Sequence, residues 1–521
     1  MTSKTFQSFS FNTAEQFKES FFEAAPTITY VFVGNHVPWP DENNPPVVLG
    51  SLDYEKDAWD NMFAAKKITG NDVELVVPWA EWVSGNTYKQ YDNTLETQEL
   101  LSANTDAGID QMYVITDERN VYKCLSNNQG IASTTKPSGD YTSSNGTITM
   151  ADGYIWKYMF NVPISNRFFA NTEWFPAPTS SSRQGFNVDS TGVVDGQITT
   201  IIVENEGSGY RKVNSNSNLY IAGQTSLGFA NTNYITKNMA VSGIGIPGGT
   251  YITSVDSLTG TVNLSMATYS AGGGTTSGNT IFITPRFFID GDGTGCEIEP
   301  VSNTVTLTGS IASINVISFG TGYTRANVVT SGAGANFSAR VITGPKFGHA
   351  YNPAKELNAN NVMVRVRVGE LDSTEGGLIR DDTSFRQIGM VRNPYKYGQT
   401  VTTNNENSNT VISQTTDLTV VSGSLYTQNE IVYQGTDLAN ATFSGFLQSE
   451  ESNVLKITKV KGTPAIGTAV VGETSSTSRS LLSIKNPEFE PYSGAVIYME
   501  NNEKVERTEG QSEIIKFVVR F

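Results

Sequence analysis

At 521 residues the chain exceeds the size at which one hydrophobic core keeps growing, so several domains are expected. Only 17% of it is charged, below the roughly 25% of an average soluble domain, and 48 glycines with many Ser, Thr and Asn fill the gap, as in turn-rich β proteins. A net charge of −16, spread without long like-charge runs, argues against nucleic acid and an anionic membrane surface as partners.

The opening "MTSKTFQSFSFNTAEQFKESFF" has no apolar core of signal-peptide length, and no later stretch is apolar for 18 residues. Synthesis and use in a cytosol, or assembly there into something larger, is therefore expected. Phe17, Phe21 and Phe22 sit at helical spacing and predict a short helix over 14–24. "TITYVFVGN" follows as a strand, then "VPWPDENNPPVVLG", whose four prolines forbid regular structure and predict an ordered, packed loop. "EKDAWDNMFAAKKI" reads as a second helix. From there to 180 short strands and turns alternate. In "GYIWKYMFNVP", Tyr154, Trp156, Tyr158 and Phe160 alternate with Ile155, Lys157 and Met159, which predicts a strand laying one aromatic face on a core.

Near 186 the composition turns to Ser, Thr, Gly and Asp, and a repeat begins. "GQITTIIVENEGSGY" (196–210) matches "GSIASINVISFGTGY" (309–323) without a gap, at a constant offset of 113 (309 less 196). Gly207, Gly209 and Tyr210 of the first copy correspond to Gly320, Gly322 and Tyr323 of the second. The tails "GDGTGCEIEP" from 291 and "GAGANFSARV" from 332 read as the next hairpin of each unit. Residues 186–345 are thus expected to be an inserted glycine-rich β-repeat module. Aromatic and Arg-rich character returns over 346–398, a second Ser/Thr/Gly module occupies 399–486, and 487–521 ends in a strand, a charged hairpin turn and a closing strand. The expected fold is mainly β. It is a multi-domain β-sandwich scaffold of 1–185, 346–398 and 487–521 with a few short helices and two inserted all-β modules.

Candidate chemistry is sparse. A phosphate loop needs a strand, glycines and then a helix N-terminus, usually with a Lys. "RKVNSNSNLYIAG" follows the first glycine–tyrosine stretch without helical periodicity, so both copies read as hairpin corners with Tyr packed over the turn. "DGDGTG" (290–295) opens like a calcium loop, with Asp290 and Asp292 as donors, but position twelve is Val301 where such a loop wants Glu. A turn is the preferred reading. His36 and His349 are the two histidines, and His36, among aromatic and proline residues, reads as packed. Cys124 and Cys296 form no CxxC pair and read as reduced, packed thiols. With no zinc, triad or thiol motif, no catalytic residue, cofactor or metal is expected.

"ADGYIWKYMFNVP", "SFRQIGMVRNP" and "GAVIYMENNEKVE", in that order, resemble the baseplate wedge subunits of contractile-tailed bacteriophages, the gene-product-eight family of the large myoviruses. "ITYVFVGNHVPWP", "DAWDNMFAAKKI", "VELVVPWAEW" and "NVYKCLS" agree in order, and the likeness covers roughly half the chain. Its signature residues here are Tyr154, Trp156, Tyr158, Phe385, Arg386, Tyr498 and Glu500. The resemblance implies a mostly β virion protein of the tail baseplate, made in the host cytoplasm. It also implies a homodimer in each wedge that contacts other wedge proteins and holds the baseplate ready for sheath contraction, with no catalytic residue. The two Ser/Thr/Gly modules depart from the family, and host cell-surface glycans are the alternative partner they suggest. Trp39, Pro40 and Asp41 in the proline-rich loop are candidate interface residues, because a loop rigid before docking loses least on binding. Trp79 and Trp82 are either anchors or core, with core favoured.

Overall fold

The computed structural model describes residues 7–23, 27–50, 52–95, 111–139, 147–181, 186–188, 194–216, 221–269, 280–302, 309–332, 334–368, 383–400, 406, 408–506 and 513–521. The protein is mainly β, and the chain divides into two compact units, 1–76 with 359–521, and 77–358.

The first unit is built on two antiparallel arrays. One orders the strands Val411–Ser413, Met62–Lys67, Thr29–Gly34, Phe385–Arg392 and Ala495–Val505. Thr29–Gly34 is buried at every position, as a central strand of a covered sheet must be. Tyr30, Phe32, Ala58, Trp59, Met62, Val391, Ile412 and Phe489 form its core. In the other array Asn361–Val368 lies between Glu513–Arg520 and Val73–Val76. Ala495–Val505 runs through the charged "NNEKV" stretch as strand, and it and Glu513–Arg520 pair in different arrays. The two last strands are therefore not a hairpin. Each completes a partner set earlier in the chain.

Two helical expectations shift. The first helix is Gln7–Glu19, with Phe11 and Ala14 buried, while Phe22 lies beyond it and is 59% exposed. The second, Leu52–Asn61, stops where "MFAAKK" begins. Those six residues pair with Thr29–Gly34 on one side and Val411–Ser413 on the other. Two rows of interstrand hydrogen bonds outweigh the helix preference of Ala and Lys, which is strong among residue types but small beside tertiary pairing.

Within the same unit, Thr416–Val420, Val454–Gly462, Phe443–Glu451, Ile431–Gln434, Ala469–Gly472 and Ser478–Lys485 close into a small barrel. Thr416–Val420 alternates buried and half-buried residues, and inward side chains such as Leu418, Val432, Phe443, Leu455, Ile457 and Val470 fill the interior.

The second unit holds an antiparallel sheet of Tyr113–Ile115, Asn120–Ser126, Ile155–Asn161 and Thr147–Thr149, with Asn187–Val188 also against Ile155–Asn161. Both faces of Ile155–Asn161 are covered, since Lys157 and Met159 are as buried as the aromatics. Lys157, which alternates with the aromatics, is therefore an interior lysine.

The repeat folds by exchange. Ile198–Ser208, the first strand of copy one, pairs with Ala335–Thr343, the last strand of copy two. Ile311–Thr321, the first strand of copy two, pairs with Thr294–Ser302, the last strand of copy one. The middle strands, Arg286–Gly291 and Ala326–Ser331, pair with each other. Neither tail forms a hairpin with its own copy, and the glycine–tyrosine corners do not close hairpins. They carry the chain from one strand pair to another. The first strands are offset by 113 (320 less 207) and the last by 41 (337 less 296). The difference matches the length of 213–284, a segment nested in copy one with its own core around Leu227, Met239, Val241, Ile252, Val262 and Ile283.

Candidate functional site

The proline-rich loop is braced from several sides. Arg386, buried on Phe385–Arg392, sends Nε to both Glu42 oxygens at 2.9 Å and Nη1 to the His36 carbonyl at 2.8 Å. The guanidinium holds the Glu42 carboxyl below its usual range. Trp39 Nε1 donates to the Asn502 carbonyl at 3.0 Å, and Asn501 Nδ2 donates to Pro46 O at 2.9 Å. Asp41 Oδ1 accepts the Asn43 N–H at 3.1 Å. His36 is buried between Asn429 Oδ1 and Thr458 Oγ1, each 2.7 Å away, so it is packed and joins the loop to the barrel. Trp39 is half-buried, Pro40 and Asp41 are exposed, and Val47 and Leu49 are 76% and 59% exposed. The loop is thus a fixed surface with apolar tips, and Arg386 and Glu42, 344 residues apart in sequence, meet only in the fold.

The signature residues fall in three places. Tyr154, Trp156 and Tyr158 belong to a buried cluster of the second unit, with Tyr154 stacked on Trp156 at 5.6 Å and Tyr88 edge-on to Trp156 at 5.4 Å. In the first unit Phe385 is buried and Arg386 braces the loop. Tyr498 and Glu500 lie on Ala495–Val505, whose register sets them against Met390 and Ile388. Tyr498 packs edge-on to Phe517 at 5.0 Å and donates its hydroxyl to Glu500 at 2.5 Å. "SFRQIG" and "IYMEN" are hydrogen-bonded neighbours.

At the repeat corners, Gly207 and Gly209 have φ of 62° and 80°, and Gly320 and Gly322 have 62° and 76°. Tyr210 and Tyr323 are buried in the shared core of the two copies. In "DGDGTG", Asp292 accepts the N–H groups of Thr324 and Arg325 at 2.9 and 3.1 Å and the Thr324 hydroxyl. Those donors lower its carboxyl pKa. Its oxygens pin one copy to the other. Among the described residues no group of His, Cys, Asp and Glu could hold a metal, and no helix is long and apolar enough to cross a membrane. Cys124 and Cys296 are free.

Two arrangements lie outside the sequence-predicted set. Lys123, fully buried, donates to Glu356 Oε2 at 2.8 Å and to His349 Nδ1 at 3.0 Å, leaving Nε2–H of His349 to donate to Thr199 Oγ1 at 2.9 Å. This fastens the first repeat strand to the Asn120–Ser126 strand. The other is a cavity of about 710 Å³ walled by Trp79, Ile115, Arg119, Val162, Arg167 and Phe175. Trp79 is therefore a wall residue, while Trp82 donates to Ser133 Oγ at 3.2 Å and packs on the aromatic cluster. "PWAEW" was the one visible signal for the cavity; the arginines carry none.

The chain is similar to the baseplate wedge protein gp8 of Enterobacteria phage T4. The two are 22% identical over 160 residues, an alignment covering 26% of this chain and 47% of the relative. The chain thus spans about half the length of the curated relative it matches. No profile of a known protein family matches it.

Proposed function

We propose that the chain is a non-catalytic structural subunit of a phage tail baseplate, pairing with a second copy and docking onto neighbouring wedge proteins. The observation that carries this is its similarity to the T4 baseplate wedge protein. The braced loop supports it, because Trp39, Glu42 and Pro46 are held before any partner arrives, beside the exposed Pro40, Val47 and Leu49, so little ordering entropy is lost on docking. Residence in the virion, and a part in readying the sheath for contraction, follow from the same reading. The test is sedimentation of the purified chain, expected as a dimer, with incorporation into tail particles. Trp39→Ala is expected to fold normally and incorporate poorly. A monomer absent from tails overturns the reading.

A second reading is supported by an amide-rich groove of about 690 Å³ in the second unit, lined in part by Gln90, Asn127, Asn128, Gln129, Glu204 and Asn315. In it the repeat module contacts host glycans. Binding on a glycan array, lost on Asn128→Ala with Asn315→Ala, supports it, and a silent array removes it.

A further inference from the structure

We propose that the cavity walled by Trp79, Arg119 and Arg167 is a docking site for an acidic polypeptide segment of an assembly partner, one apolar side chain flanked by carboxylates. This rests on reading the chain as an assembly component and names the chemistry of one partner, at residues other than those of the Trp39 loop.

The walls are fixed by backbone hydrogen bonds. Trp79 N–H donates to Glu173 O at 2.7 Å, Ile115 N–H to Ala80 O at 2.7 Å, and Val162 N–H to Arg119 O at 2.9 Å. Phe175 is fully buried and meets Trp79 edge-on at 6.0 Å. The volume suits one or two side chains of a ligand. An apolar floor of Trp, Phe, Ile and Val under polar rims is the composition of an anchor pocket.

Charge selects the ligand. Arg119 lies over the Trp79 ring at 4.7 Å, and Arg167 Nε reaches only the Val162 carbonyl, at 3.3 Å. Among the described residues neither guanidinium has a carboxylate within ion-pair distance. In a chain with 51 acidic and 35 basic residues, two arginines without carboxylates at one aromatic cavity are complementary to an incoming carboxylate. Glu81 is the single acidic residue among the lining, and it lies exposed. Arg119 also sits at φ 66°, a left-handed backbone uncommon for a non-glycine residue, in the turn that presents its side chain to Trp79. The short helix Ile164–Phe169 that carries Arg167 exposes Ile164 and Phe168, extending the apolar surface around it.

The experiment uses the full chain and fluorescein-labelled short peptides with one Phe, Leu or Trp between Asp and Glu residues, beside twins carrying Asn and Gln instead. Anisotropy is expected to give binding about tenfold or more tighter for the acidic set, weakening with salt. Arg119→Asn, which tolerates the left-handed backbone, combined with Arg167→Gln is expected to lower that affinity by a further factor of about ten while leaving thermal unfolding unchanged. Trp79→Leu is expected to weaken both peptide sets. Equal binding of the twins, unchanged binding by the double variant, no binding by the acidic set, or tighter binding of a labelled single-stranded oligonucleotide each overturns the proposal. Incorporation of the double variant into tails at wild-type level also sinks it and leaves the structural reading intact. Failure of the wild-type chain to incorporate sinks that reading instead.

Discussion

Tyr210 and Tyr323 are held by the same bond in mirror order: Tyr210 N–H donates to Gly309 O at 3.1 Å, and Tyr323 N–H donates to Gly196 O at 3.0 Å. Each copy's corner is tied to the start of the other, so the two copies form one interlocked body. Its weak points are the glycines. A Cβ on Gly207 would lie 2.7 Å from Ala335 O, and one on Gly320 would lie 2.7 Å from both Cys296 N and Thr294 O.

Gly207→Ala and Gly320→Ala are therefore expected to cost similar amounts. The left-handed backbone alone accounts for roughly 1–2 kcal/mol, and the contact with an opposed strand adds to it. Chemical unfolding of the full chain checks this. A neutral Gly320→Ala would show that the second corner relaxes freely and that the two are not equivalent.

Trp156 lies at the centre of the aromatic cluster, fully buried, against Tyr88 and Tyr154. Trp156→Ala is expected to lower stability by about 3–5 kcal/mol through the cavity it leaves. Trp156→Phe should cost much less, because the indole N–H has no acceptor among the described residues. If the Ala variant is as stable as wild type and fails only in assembly, Trp156 belongs to an interface and not to the core.

Both histidines are held neutral. Burial lowers His36 to about 4, with Lys459 and Arg386 adding to it. Burial, then Lys123, lowers His349 to about 4, although Glu356 opposes the shift. Lys123, Glu356, Lys157, Thr199 and the Tyr91 ring are the groups facing His349. The unfolded chain, with histidines near 6.5, takes up protons first as pH falls. Stability is thus full above about 6.5, declines towards about 4 by up to roughly 3 kcal/mol per histidine, and then levels for these two groups. Urea unfolding across that window reads the slope. His349→Gln should roughly halve it, because His36 still titrates over the same window, and an unchanged slope would remove His349 from the account.

What could be read beforehand follows from what pattern encodes. The Thr29–Gly34 strand and the aromatic alternation around Trp156 were legible because buried strands advertise themselves by composition. "MFAAKK" was not, because its strand state comes from partners on two distant segments. The repeat was legible as sequence, but the exchange of its last strands was not, since periodicity says that a strand exists and not which strand it meets. The same holds for Arg386 with Glu42 and for Arg119 over Trp79, pairs far apart in the chain.

Arg386 gives the sharpest separation of bracing from folding. Its side chain is buried, yet it holds an exposed loop through Glu42 and the His36 carbonyl. Arg386→Gln leaves the His36 carbonyl with a shorter, neutral donor and frees Glu42, a loss of roughly 2 kcal/mol. Hydrogen exchange should rise over 37–46 while the amides of Thr29–Gly34 and Phe385–Arg392 stay protected. Incorporation into tails should fall with it, because a loop that must be ordered on docking binds more weakly. Unchanged exchange in the loop would mean that Trp39 and Asn501 hold it without the arginine.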